Sequence, residues 1–190
     1  MSTADWTMGS NTSRQQIVDP RHTLIAEVAS SGALMYAPRT LRLLIGADAI
    51  CVRGLDGRLI WLETTDSSAF TAADGQVREC AHNGEEVLMV PRDTAAEAQA
   101  LVSLSAALAW SAATLQPGSQ QADPEQFEQR PADIRTAATD DGRLLQIVID
   151  RDTGVVLAIA GESLHGSFEL KLQSVQVVDS TPDHFAARHL

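Results

Sequence analysis

Short runs of alternating apolar and polar residues, separated by glycine-bearing turns, dominate the second quarter and the last third of this chain. Arg39–Ile45, Ala49–Arg53 and Leu59–Thr64 read as strands. Between the last two, Gly54-Leu55-Asp56-Gly57 is a hairpin signal, because Asp-Gly accepts the left-handed backbone of a tight turn. Gln76–Cys80 and Val87–Val90 flank Asn83-Gly84 in the same way, with a looser polar stretch over 65–75 before them. Strands joined by turns this short must be antiparallel, since a parallel neighbour needs a long crossover. Arg143–Asp150, Val155–Ala160 and Ser167–Val178 repeat the pattern, and Gly154 suits a left-handed turn position. Phe168, Leu170 and Leu172 share one face of the last run, and the alternation shifts at Ser174, which predicts a bulge.

Two segments follow helical spacing instead. Asp19-Pro20 is a helix start, followed by Leu24, Ile25 and Val28, with Gly32 as a stop, which predicts a short helix over 20–30. Thr94-x-x-Glu97 is a capping box, and Leu101, Leu104, Leu108 and Leu115 form one apolar stripe. This predicts a long helix over 94–115, ending before Pro117-Gly118, whose alanine-rich flank lets a sheet come close. Residues 116–133 hold three prolines, many glutamines and acidic residues, and one phenylalanine, the composition of a surface loop that would be mobile or act as a lid. Residues 1–18 are polar and read as a flexible arm. The expected architecture is α+β. It is a strongly curved antiparallel sheet, half-barrel-like, of about 8–10 strands, with one long helix packed on its concave face. Residues 19–190 are expected to form a single domain.

Charge narrows the partners. The net charge of −11 repels a phosphate backbone and an anionic membrane surface, so nucleic acid is not an expected partner. No apolar run reaches the roughly 18 residues of a membrane span. The first 30 residues lack a basic start followed by an apolar core, which points to a cytoplasmic protein. Arginine outnumbers lysine 13 to one, with Lys171 the only lysine, a coding bias of GC-rich bacteria. Cys51 and Cys80 form no CxxC or zinc spacing and read as reduced core residues.

No catalytic arrangement stands out. Gly161-Glu162-Ser163-Leu164-His165-Gly166 resembles a nucleophile elbow superficially, but it lies between two strands rather than between a strand and a helix. Cys80 and His82 share a strand face, but their placement in a hairpin is a poor setting for an activated thiol. The five histidines form no HExxH, and His184 and His189 belong to an end expected to fray. Carboxylates such as Asp150 and Asp152 flank turns, where Asp bonds its own backbone. No catalytic residue, metal ligand or cofactor is therefore assigned, and a non-enzymatic role is expected. What remains is a set of large apolar side chains that could line a cavity or groove: Met35, Trp61, Met89, Leu104, Leu108, Trp110 and Phe168.

The stretch LLQIVIDRDTGVVLAIAGESLHGSFELKLQSVQVVDSTPDHF resembles the closing strands of the lipoprotein-carrier superfamily, the lipoprotein-localisation half-barrels. YAPRTLRLLI and ICVRGLDGRLIWLETTD, within 36–66, are similar to that superfamily's Pro-x-x-Arg strand, Asp-Gly turn and Trp segment. The resemblance implies a curved half-barrel with helices plugging its concave face and a hydrophobic ligand. The residues themselves point to a non-catalytic binding protein. Its partner would be an apolar, lipid-like small molecule, or another protein for which it acts as an adaptor. A small acidic secretion-type chaperone, or an enzyme with a site in the half-barrel mouth, are the alternatives, and a homodimer is compatible with all of them.

Overall fold

A computed structural model describes residues 19–32, 40–72, 74–81, 92–123 and 127–187. Met35, Met89, His82, the Val87–Val90 strand and the 1–18 arm lie outside the described residues. The strands are β1 (His22–Gly32), β2 (Thr40–Ile45), β3 (Ala49–Gly54), β4 (Leu59–Thr64), β5 (Ser67–Thr71) and β6 (Val77–Ala81). Helices α1 (Arg92–Ala100) and α2 (Leu104–Ser111) follow. Then come β7 (Ala113–Leu115), β8 (Gln120–Gln121), β9 (Ala132–Thr139), β10 (Leu144–Asp150), β11 (Val156–Ser163) and β12 (Gly166–Asp179). All twelve strands belong to one antiparallel sheet in the order β6-β5-β4-β3-β2-β1-β12-β11-β10-β9-β7, with β8 also on β9. The sheet is curved and does not close.

The helix predicted over 20–30 is β1, the central strand. It pairs with β2 on one side and β12 on the other. Leu24, Ala26 and Val28 are buried on one of its faces and Thr23 on the other. A strand covered on both faces loses its polar alternation, and apolar residues on both parities imitate helical spacing. Asp19 serves a turn rather than a helix, its Oδ1 accepting the Arg21 amide at 2.9 Å.

The long helix over 94–115 is likewise corrected. Two short helices stand there, and Thr94 lies inside α1 instead of capping it. The break falls at 101–103. Ser103 Oγ accepts the Ala106 amide at 3.2 Å and restarts the helix, a side-chain bond that competes with continuous helix. The freed Leu101 carbonyl accepts the amide of Val156 at 3.0 Å, tying the break to the start of β11. Ala112, at φ 48°, ends α2, and Leu115 belongs to β7. Leu101 is fully buried while Leu108 is only half-buried. Leu101→Ala should thus cost about 2–5 kcal/mol and Leu108→Ala about 1 kcal/mol in urea denaturation, and equal losses would contradict this packing.

Ladder register sorts the side chains into two faces. Ala26, Leu43, Val52, Trp61 and Phe70 form one cross-strand row. They share a face with Leu172, Leu170 and Phe168 through the Val28–Leu172 pair. This is the inner face. α1 packs on β3 and β4 and α2 on β10 and β11, so the helix pair bridges both halves of the sheet.

The outer face carries a second row: Ile25, Leu44, Cys51, Leu62 and Ala69. A bulge at Ile60 turns Leu59 to this side. The C-terminal segment covers it. Pro182–Phe185 forms a single 3-10 turn, with Phe185 against this cluster. His184 is docked rather than frayed, its Nδ1 lying 3.2 Å from Thr23 Oγ1, while His189 lies outside the described residues.

Candidate functional site

Of the seven candidate ligand residues, the five within the described residues all join one apolar cluster on the inner side of the sheet. Trp61, on β4, is buried. Phe168, on β12, is buried too, and Trp110 meets it edge to face with ring centroids 6.0 Å apart. Leu104 and Leu108 project from successive turns of α2. The helix sequence LSAALAWS has no charged residue, yet only Ala107 is fully buried in it. Its three large side chains, Leu104, Leu108 and Trp110, are half-buried. An apolar helix that leaves its largest side chains partly in water keeps unused hydrophobic surface.

Among the described residues, two polar groups on this face have no partner. The Trp61 indole Nε1–H is buried with no acceptor. Arg135, on β9, sits cross-strand from the fully buried Ile147, which places it on the inner face, and its Nε is also buried without a partner. Unpaired buried donors are costly and uncommon in folded proteins.

The segment 116–133 does not lie over this face as a lid in its described part. Gln116 donates to the Thr136 carbonyl and Ala122 to that of Ala132, so 113–122 run along β9 as an interrupted edge strand, with Pro117 in the gap. Residues 127–131 sit on the outer side. Lys171 faces outward in the row Ala29–Lys171–Ala158–Val148, and its ammonium lies 5.1 Å over the Phe127 ring. The Glu128 carboxylate accepts the amides of Ser174 at 2.6 Å and Val175 at 2.9 Å. Those amides belong to the predicted bulge, where Ser174 has φ 53° and the β1–β12 register shifts. Arg130 reaches the fully buried Asp150 carboxylate, with Nε at 2.7 Å and Nη2 at 2.6 Å. None of Glu128, Arg130 and Asp150 was singled out for these contacts by the sequence, because their partners lie 20 to 47 residues away.

The catalytic look-alike is a plain turn. Ser163 Oγ donates to the Gly166 carbonyl and accepts the His165 amide, which closes the β11–β12 hairpin. Among the described residues, no three His, Cys, Asp or Glu side chains gather as a metal site. No described helix is long and apolar enough to cross a membrane.

No protein family matches the chain, and no curated protein does. Solved structures similar to it include MucB, at 16% identity over 90% of this chain and 59% of that one, with a TM-score of 0.47. The MucA/MucB complex of Pseudomonas aeruginosa matches at 11% identity over 88% of this chain and 56% of that one, with a TM-score of 0.44. A LolA superfamily protein from Nitrosomonas europaea matches at 8% identity over 90% and 93% of the two chains, with a TM-score of 0.32. The chain spans a little over half the length of the MucB structures.

Proposed function

We propose that this protein is a non-catalytic carrier for an apolar, lipid-like ligand, held on the inner face of the sheet beside α2. Residues 19–190 act as one binding unit in this reading. The supporting observation is α2 itself, an uncharged helix with Leu104, Leu108 and Trp110 half-buried next to Phe168. Apolar surface left in this state gains free energy when an acyl chain displaces water from it. Trp61 extends the same face toward α1.

Titration with the neutral fluorescent probe N-phenyl-1-naphthylamine tests this. Saturable binding is expected, on the order of micromolar, because an ordinary apolar pocket supplies about that affinity. Trp110→Ala should weaken it about tenfold, the usual effect of removing an aromatic anchor. No saturable binding, together with a protein co-purifying in native mass spectrometry, would replace the carrier with the adaptor.

A further inference from the structure

Arginine is well supplied with partners in this protein. Arg130, Arg143 and Arg151 pair with Asp150, Asp141 and Asp133, and Arg53 binds the carbonyls of Gly57 and Ala186. With 25 acidic residues against 14 basic ones, a carboxylate is easy to place beside any cation. Arg42 and Arg58 are exposed and solvated. Arg143 Nε is also buried without a partner among the described residues, but its Nη2 still pairs with Asp141, and Arg135 differs in showing no such pair. It is half-buried on the inner face, its Nε is closed off from water, and its side chain has no hydrogen bond or ion pair among the described residues. The nearest carboxylate along its own strand face, Asp133, is taken by Arg151 Nε at 2.8 Å.

Its position on the ladder adds a second observation. Arg135, Ile147, Ile159 and Leu170 form one row across β9, β10, β11 and β12, and the last three are fully buried. The next row runs Ala137, Leu145, Gly161 and Phe168, ending at the ring that meets Trp110. Three strand spacings separate Arg135 from that aromatic pair, about 14 Å. One cation therefore stands at one end of an enclosed apolar row and an aromatic pair at the other, with the half-buried Leu104, Leu108 and Trp110 of α2 as the apolar surface still open to water.

We propose that Arg135 is the anchor for an oxyanion head group, carboxylate or phosphate, of an amphiphile whose chain lies along α2 toward Trp110 and Phe168. The inference rests on the carrier reading above and specifies the ligand's chemistry. A guanidinium fork matches both oxyanions in two-point geometry, and its half-buried setting strengthens the contact. A cation without a partner among the described residues is the cost the free protein bears for that selectivity.

The full chain is tested by displacement of N-phenyl-1-naphthylamine with dodecanoate, dodecyl phosphate and 1-dodecanol, each below its micellar concentration. At least one anionic probe should bind about tenfold or more tighter than the alcohol, and the tighter of the two names the head group. Arg135→Met should abolish that advantage, leave dodecanol binding unchanged and raise Tm, because it removes a charge without a partner. A merely structural arginine would lower Tm on replacement and leave the ratio alone. Arg135→Lys keeps the charge without the fork and should lose part of the advantage, so it carries the test if the methionine variant does not fold. Equal binding of anions and alcohol, or an advantage that survives Arg135→Met, overturns the head-group inference while dodecanol binding keeps the carrier standing. Binding of none of the three overturns both.

Discussion

Replacing Asp150 with alanine should lower stability by about 3–5 kcal/mol, because it leaves the Arg130 cation without its partner in a largely buried site. Asp150 is fully buried and its carboxylate is saturated. Oδ2 receives Arg130 and the Thr153 hydroxyl at 3.0 Å, and Oδ1 receives the Asp152 amide at 2.9 Å. The same side chain therefore shapes the β10–β11 turn and holds the 127–131 segment on the outer face. Urea denaturation of Asp150→Ala reads the loss directly. The double variant Arg130→Met/Asp150→Leu should recover most of it, since apolar side chains of similar volume replace a buried ion pair at little or no cost. A single-variant loss below about 1 kcal/mol, the worth of an exposed pair, would show that water reaches the site.

The legible parts of this fold are those where one strand face meets water or a glycine fixes the turn. The Asp56-Gly57 hairpin and the strands after Gly142 and Gly154 stand where the pattern put them, with those three glycines at φ 81°, 82° and 72°. β1 was hidden because both of its faces are buried, at Leu24, Ala26 and Val28 on one side and at Thr23, beside His184 of the C-terminal segment, on the other. β5 and β9 were hidden for the opposite reason. SSAFT and ADIRTAAT carry too few large apolar residues to show a period, and the ladders on either side hold them in the sheet. The helix break at Ser103 was visible only as a serine within an apolar stripe, a weak signal against the leucine spacing. Among the site residues, Trp61, Leu104, Leu108, Trp110 and Phe168 were readable by size and spacing alone. Arg135 was not, since its place on the inner face follows only once β9 is known to be a strand.

The C-terminal turn is expected to guard the second core, and Phe185→Ala measures how strongly. Phe185 packs on Gly46, where any Cβ would come within 2.8 Å of its ring, and it closes the cluster of Leu44, Cys51, Leu59 and Leu62. Arg53 Nη2 donates to the Ala186 carbonyl at 2.5 Å, and Thr23 is shared between Ser180 and His184. Removing the ring leaves a void over this row and should cost about 2–4 kcal/mol, less than a fully enclosed phenylalanine because Phe185 is half-buried. Cys51 supplies a local reporter. Burial pushes its thiol up to about 11, against the opposing pull of Arg53, so little thiolate exists at pH 8. In a Cys80→Ser background, native Cys51 should react with iodoacetamide far more slowly than the unfolded chain does. Phe185→Ala should raise that rate at least about tenfold, because opening the site lets both water and reagent reach the sulfur and restores the thiolate. Stability lost without a change in the alkylation rate would place the effect of Phe185 elsewhere in the sheet. An unchanged rate and unchanged stability together would mean that the C-terminal turn does not seal this face.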